Sequence, residues 1–143
     1  MNFLLLYLSR DRRQLYDRIN LRTEQMVKGG WIAEVKSLCG TPWEPFLRKK
    51  KLIGYDVLFD YLAGEQTEDT LKKAIDCIAQ RTRNYAKRQK TFWNSFQRQM
   101  HKAAQSFNDQ TQIMSEIKSI NLTLLDRDLY IKQLSKMLRV YFK

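Results

Sequence analysis

Arg22 lies on a helical stripe whose other members are Leu15, Ile19 and Met26. A guanidinium among apolar neighbours must either snorkel or meet an anion in a partly enclosed site. Its planar fork of donors suits a bidentate phosphate contact. Arg18 sits one turn earlier, on the edge of the same face. A salt bridge to a nearby acid is the competing reading of both arginines.

A second constellation is residues 81–93, RTRNYAKRQKTFW, in which five of thirteen side chains are cationic and none is acidic. From Cys77 to Asn108 there is no Asp or Glu, while Arg81, Arg83, Lys87, Arg88, Lys90, Arg98 and Lys102 all occur. Solvated helices ordinarily interleave charge signs to gain i,i+4 pairs, and this one does not. On a helical wheel Arg81, Tyr85 and Arg88 share one face, and Arg83, Lys87 and Lys90 share another. Cations that neutralise phosphate, set beside aromatic surface, are what RNA binding requires. The competing reading is a plain basic face with core aromatics.

A third is the run Arg48-Lys49-Lys50-Lys51, expected on a loop before Gly54-Tyr55, where simple solvation is the competing reading. Other chemistries find little material. Asp17, Asp56 and Asp60 show no persuasive pairing for acid–base work. His101 is the only histidine, which leaves zinc clusters and His-centred triads without parts. Gly29-Gly30 is no phosphate loop, since G-x-x-x-x-G-K-S/T occurs nowhere in the chain.

The formal net charge of +11 over 143 residues points to an anionic partner, with nucleic acid or phosphorylated ligands ahead of a membrane surface. At 43% hydrophobic and 12% aromatic the chain can bury a core. Cys39 and Cys77 lack metal or redox spacing and read as buried free thiols of a reducing cytosol. The opening MNFLLLYLSRDRR is too short for a secretory signal, and no run approaches the roughly 20 apolar residues of a membrane span. A cytoplasmic protein without a membrane partner is expected.

These residues need elements to position them. Phe3–Leu8 is a continuous apolar run, the pattern of a strand buried on both faces. Helical periodicity runs from Arg12 to about Lys28 and stops at Gly29-Gly30; a short helix follows over 31–38, ending at Gly40. Thr41-Pro42-Trp43-Glu44-Pro45 reads as a loop because of its two prolines. A short helix is expected from Tyr55 to Leu62. Thr67 then caps a long helix in which Leu71, Ile75, Ile78, Thr82, Tyr85, Gln89, Phe92 and Phe96 follow a 4-3-4-3 seam, amphipathic to about Ala104. Asn108–Gln110 is a polar break. Ile120–Leu125 reads as a second strand, and Asp126 as the cap of a last helix carrying Leu129, Leu134 and Leu138.

In order and spacing, LSRDRRQLYDRINLRTEQMVKGGWIAEVKSL, LIGYDVLFDYLAGE and RTRNYAKRQKTFW closely resemble the C-terminal half of tRNA dimethylallyltransferases, from about residue 3 to residue 95. The resemblance implies transfer of a dimethylallyl group from dimethylallyl diphosphate to the N6 amine of adenine 37, beside the anticodon, with Mg²⁺. It implies that Arg22, in the R-I-x-x-R block begun by Arg18, stabilises the diphosphate leaving group. It further implies tRNA contacts from Phe46, Leu47, Arg48, Lys49, Lys50 and Lys51, and from Thr82, Arg83, Asn84, Tyr85, Ala86, Lys87, Arg88 and Gln89. No metal ligand falls in this chain. The family's phosphate-gripping loop and its general-base Asp lie in an N-terminal half that these residues do not match. The chain is therefore expected to be a fragment, a truncated gene product or a split subunit, inactive alone.

The fold expected is mainly α with two strands, the C-terminal part of a P-loop-type α/β fold with a helical tRNA-binding region. Residues 1–105 would be the C-terminal half of the prenyltransferase domain and 106–143 its strand–helix tail. The partners implied are a tRNA anticodon stem-loop, dimethylallyl diphosphate and a separate N-terminal half. Two alternatives stand beside this reading. A non-catalytic RNA-binding module would bind RNA but never transfer, and a helical protein-interaction fragment would associate without salt dependence or preference for RNA.

Overall fold

The computed structural model describes residues 3–106, 115–123 and 127–141. In chain order they form strand β1 (Phe3–Ser9), helices α1 (Arg12–Met26), α2 (Ile32–Leu38), α3 (Trp43–Lys50), α4 (Tyr55–Ala63) and α5 (Glu68–Ser106), strand β2 (Ser115–Asn121) and helix α6 (Arg127–Tyr141). The fold is thus mainly helical with two strands, as the sequence leads one to expect. The chain divides into two compact units, Met1–Leu15 with Gln97–Lys143, and Tyr16–Phe96.

In the first unit β1 and β2 pair in parallel, in a register running from Phe3↔Ser115 to Ser9↔Asn121. The pairing continues one step further, with the Leu122 N–H donating to the Ser9 carbonyl at 2.7 Å. Asp11 then caps α1: its carboxylate accepts from the backbone N–H groups of Arg13 (2.8 Å) and Gln14 (3.3 Å). The second strand lies earlier than the apolar run Ile120–Leu125. Its sequence SEIKSIN is largely polar, so its place comes from pairing with β1, which composition alone does not reveal. Asn108–Gln110, Leu124, Leu125 and Asp126 lie outside the described residues.

The second unit holds the core. Val27, Trp31, Val35, Leu47, Leu58, Phe59 and Ile78 are buried together, with Ile32, Ile53, Tyr55, Leu71 and Ile75 packed around them. Fully burying a side chain such as Phe59 or Leu58 stabilises by roughly 1.5–3 kcal/mol. The break expected at Gly29-Gly30 is a wide turn over Val27–Trp31, with Gly30 at φ 105°. The α1 face that packs is Tyr16, Asn20, Thr23 and Val27, one residue on from the Leu15–Ile19–Met26 stripe, which leaves Arg22 and Met26 exposed.

The Thr41–Pro45 segment is not a loop throughout. Helix α3 begins at Trp43 with Pro42 as its N-cap, so Pro45 falls in the first turn, where the absent N–H has no intrahelical partner to lose. Arg48, Lys49 and Lys50 accordingly lie on the last turn of a helix, with Lys51 closing it in the left-handed conformation at φ 51°. Thr67 caps α5 as expected: its Oγ1 accepts from the Thr70 N–H at 3.2 Å, and Thr70 Oγ1 accepts in return from the Thr67 N–H at 3.0 Å.

The α5 seam packs only in its first half. Ala74, Ile78 and Ala79 are buried and Thr82 is half-buried, but Tyr85, Gln89 and Phe92 are exposed. The core takes Leu71, Ala74, Ile75, Ile78 and Ala79 from α5, so the seam stops packing where the core ends and not because it has rotated away.

Gly54, at φ 101°, opens α4 directly on the Trp31 indole. A Cβ at this position would lie 2.1 Å from Trp31 Cη2 and 2.5 Å from Cζ2. Gly54→Ala is expected to destabilise by on the order of 2–5 kcal/mol, through backbone strain plus overpacking. Gly64→Ala, where the nearest atom would be an Asp60 carbonyl at 3.4 Å, should cost far less. Urea midpoints followed by helical circular dichroism check this; equal shifts for the two would contradict it.

Candidate functional site

Two clefts open on the Tyr16–Phe96 unit, and Ile53 lines both. The first, about 620 Å³, is bounded by Ile19, Arg22, Thr23 and Met26 of α1, the Gly29-Gly30 turn, Trp31, Glu34, Ile53, Tyr55, and Ile78 and Thr82 of α5. Its wall is mostly apolar, and Arg22 is the one cation among these lining residues. Trp31 and Tyr55 meet edge to face, with centroids 5.9 Å apart. The Tyr55 hydroxyl donates to Glu34 Oε1 at 2.7 Å, and this bond, then burial, raises the phenol's pKa above its ordinary value. Arg18, one turn from Arg22, is exposed and is not among the lining residues.

Sequence reasoning missed Glu34 and Trp31 as cleft residues. Glu34 carries no local signal, because its role depends on a tyrosine 21 positions away.

The second cleft, about 830 Å³, is lined by Lys51, Ile53, Arg81, Asn84, Lys87, Arg88, Thr91 and Phe92. It brings the end of the Arg48–Lys51 run together with the acid-free stretch of α5, two segments separated by 30 residues of chain or more. Among the described residues no carboxylate forms an ion pair with Lys51, Lys87 or Arg88. The Arg88 guanidinium instead lies 5.9 Å over the Tyr85 ring. Arg81 is already engaged with Asp56, whose hydrogen bond is the main cause of its raised pKa.

The remaining expected contacts divide. Leu47 is in the hydrophobic core, so its side chain offers nothing to RNA. Arg48 is a strut: it pairs with Glu44 at 3.1 Å and Asp60 at 2.7 Å and lies 5.0 Å over Phe59. Glu44 in turn is held below its ordinary carboxyl pKa, first by the Gly40 backbone N–H at 3.0 Å and then by Arg48. Asp56 and Asp60, weighed as possible acids or bases, are thus partners of arginines. Arg83 spans from α5 to Asn20 on α1, also bonds Gln80, and lies 6.0 Å over Tyr16.

Thr82 returns its hydroxyl proton to the Ile78 carbonyl at 2.8 Å and faces the first cleft. Asn84 accepts from Gln80 at 3.0 Å at the second cleft's edge, and Ala86 is half-buried. Phe46, Lys49, Lys50 and Gln89 are exposed without lining either cleft.

Cys39 is exposed and Cys77 half-buried; both are free thiols, so the expectation of two buried thiols fails at Cys39. Among the described residues no three His, Cys, Asp or Glu side chains converge on a possible metal position. The described helices include none long and apolar enough to cross a membrane.

The family model for IPP transferase matches residues 1–119. A tRNA dimethylallyltransferase of Alkaliphilus metalliredigens is 44% identical over 94 residues, covering 66% of this chain and 29% of that protein. One from Clostridioides difficile is 36% identical over 117 residues, covering 81% and 35%. Among solved structures, the full-length tRNA isopentenylpyrophosphate transferase of Bacillus halodurans superposes with a TM-score of 0.64 at 28% identity, over 95% of this chain and 38% of its own. The chain therefore spans about a third of the length of the relatives it matches. A match over residues 1–119, which takes in the segments that line both clefts, means that this chain belongs to the IPP transferase family.

Proposed function

We propose that this chain is the RNA-contacting, leaving-group-facing part of a tRNA dimethylallyltransferase, which moves the dimethylallyl group of dimethylallyl diphosphate onto the exocyclic amine of adenine 37. The observation that carries the reading is the pair of clefts sharing Ile53, one mostly apolar with a single guanidinium and one basic with the exposed Phe92 ring. A short branched hydrocarbon bearing an anionic head suits the first in size and polarity. A tRNA anticodon stem-loop suits the second, where Lys51, Lys87 and Arg88 would neutralise phosphates.

In the proposed reaction the allylic carbon–oxygen bond breaks as negative charge gathers on the diphosphate, and the adenine amine bonds to that carbon. Arg22, exposed at the rim of this cleft beside Ile19, Met26, Trp31 and Ile78, would face the developing charge, with Glu34 the one carboxylate on the same wall. The amine's proton leaves to a base that the family resemblance places in an N-terminal half, outside this chain. Mg²⁺, implied by the resemblance, is bound through one or two carboxylates and the substrate's own phosphates, and its protein ligands are proposed to lie in the N-terminal half. A separate N-terminal half is accordingly the protein partner proposed. A second reading, a non-catalytic RNA-binding module, draws on the fact that the basic cleft is assembled entirely within this chain, whereas the mostly apolar cleft offers an anion one cation, Arg22.

With the N-terminal half supplied, Arg22→Ala is expected to lower the transfer rate by about 10²–10³-fold. Its affinity for an anticodon stem-loop should change little. Equal losses in rate and affinity would sink the leaving-group role. Replacing Lys87 and Arg88 together by Ala should weaken RNA binding and lower the log–log salt slope by roughly 0.7–0.9 for each phosphate that is no longer neutralised. An unchanged slope removes both residues from the RNA surface.

A further inference from the structure

Helix α1 carries Arg22 to the first cleft, yet it buries only one of its own residues, Thr23. The Thr23 hydroxyl donates back to the Ile19 carbonyl at 2.9 Å, so that bond stays within α1. Just past the end of the helix, Val27 enters the core. Toward the other end, Arg83 of α5 reaches across. Its guanidinium donates through Nη1 to Asn20 Oδ1 and through Nη2 to Gln80 Oε1 at 2.7 Å, and it lies 6.0 Å over the Tyr16 ring. Tyr16 and Asn20 stand one turn apart, so the guanidinium grips two successive turns of α1. Gln80 donates in turn to Asn84 at 3.0 Å, which holds the fork in that direction.

We infer that Arg83 is a positioning residue, which holds α1 against α5 and thereby sets where Arg22 stands in the first cleft. The inference rests on the leaving-group role proposed for Arg22. Three observations carry it. Arg83 is half-buried and does not line the basic cleft, although Arg81, Asn84, Lys87 and Arg88 around it do. Its partners are two amide oxygens and a ring, an arrangement that uses the planar fork and not the charge alone.

The third observation is the place of Arg22 in the chain. It lies between Asn20, held by Arg83, and Val27, held by the core. Releasing Asn20 therefore loosens the turn that leads into Arg22. A misplacement of about 1 Å at a group that meets the reacting atoms can cost on the order of 10²-fold in rate. A direct phosphate contact by Arg83 is the competing role, and that role would need the charge but not Asn20.

The test compares the full chain with its Arg83→Ala, Arg83→Lys and Asn20→Ala variants. All three should speed amide hydrogen exchange over residues 16–26 by about tenfold or more, while α4 exchanges as before. Lysine should not rescue, because it keeps the charge but cannot span Asn20 and Gln80 together. The salt slope for an adenine 37 anticodon stem-loop should be the same in all three. With the N-terminal half supplied, Arg83→Ala should slow transfer by about 10–100-fold, and should cost little more once Arg22→Ala is present. Unchanged exchange over 16–26, exchange that rises equally in α4, or full recovery with lysine overturns the positioning role. So does a salt slope lower by roughly 0.7–0.9 in Arg83→Ala, which would make Arg83 a phosphate contact. Losses that add in the double variant with Arg22→Ala overturn it as well. If Arg22→Ala leaves the transfer rate intact, the leaving-group reading fails first and the inference falls with it, whatever the exchange shows.

Discussion

Trp31 occupies the space that a side chain at position 54 would need, and much of the helical unit is arranged around that contact. The indole sits at the turn between α1 and α2, while Gly54 opens α4, so one van der Waals contact fixes where two helices start. Tyr55 follows immediately, stacks edge to face on the same indole and reaches Glu34 with its hydroxyl. Ile53 precedes it and forms part of the wall of both clefts. The positions of the site's walls thus descend from a packing constraint that only glycine satisfies, through both its open space and its positive φ.

Electrostatics then separate two kinds of cation. Arg48, Arg81 and Arg83 are each bound to a side chain from a distant part of the helical unit, and they brace α3, α4, α5 and α1. Lys51, Lys87 and Arg88 line an open cleft with no carboxylate in an ion pair with them among the described residues. The acid-free run of α5 holds both kinds, since Arg81 and Arg83 lie in it together with Lys87 and Arg88. Asp60 and Asp56 of α4 hold Arg48 and Arg81, Asn20 of α1 holds Arg83, and Lys51, Lys87 and Arg88 are in no ion pair among the described residues.

Much of this was legible in the sequence because it rests on local rules. The strand at Phe3, the α1 and α2 helices and the Thr67 cap follow from periodicity and backbone chemistry within a few residues. Arg22 lines a cleft, but the stripe that singled it out is not the face of α1 that packs, and Arg22 and Met26 on it are exposed. What stayed hidden depends on distance or accumulated geometry. Pro42 and Pro45 suggest a break until it is known that they stand at a helix start. Arg48 looks free until Asp60 arrives across a turn. Tyr85 and Phe92 look like core until the core is seen to take nothing from α5 beyond Ala79. β2 is written mainly in polar residues, and its register with β1 places it.

The central claim is that the helical unit presents an RNA surface selective for a loop with unpaired bases, carried by cations left unpaired on α5 and at the end of α3. The most direct measurement is the affinity of the unsubstituted chain for an adenine 37 anticodon stem-loop, at low and moderate salt, beside a duplex RNA of equal length. The account predicts binding that falls steeply with salt and favours the stem-loop at both concentrations. Binding that is indifferent to RNA shape, or insensitive to salt, would contradict it.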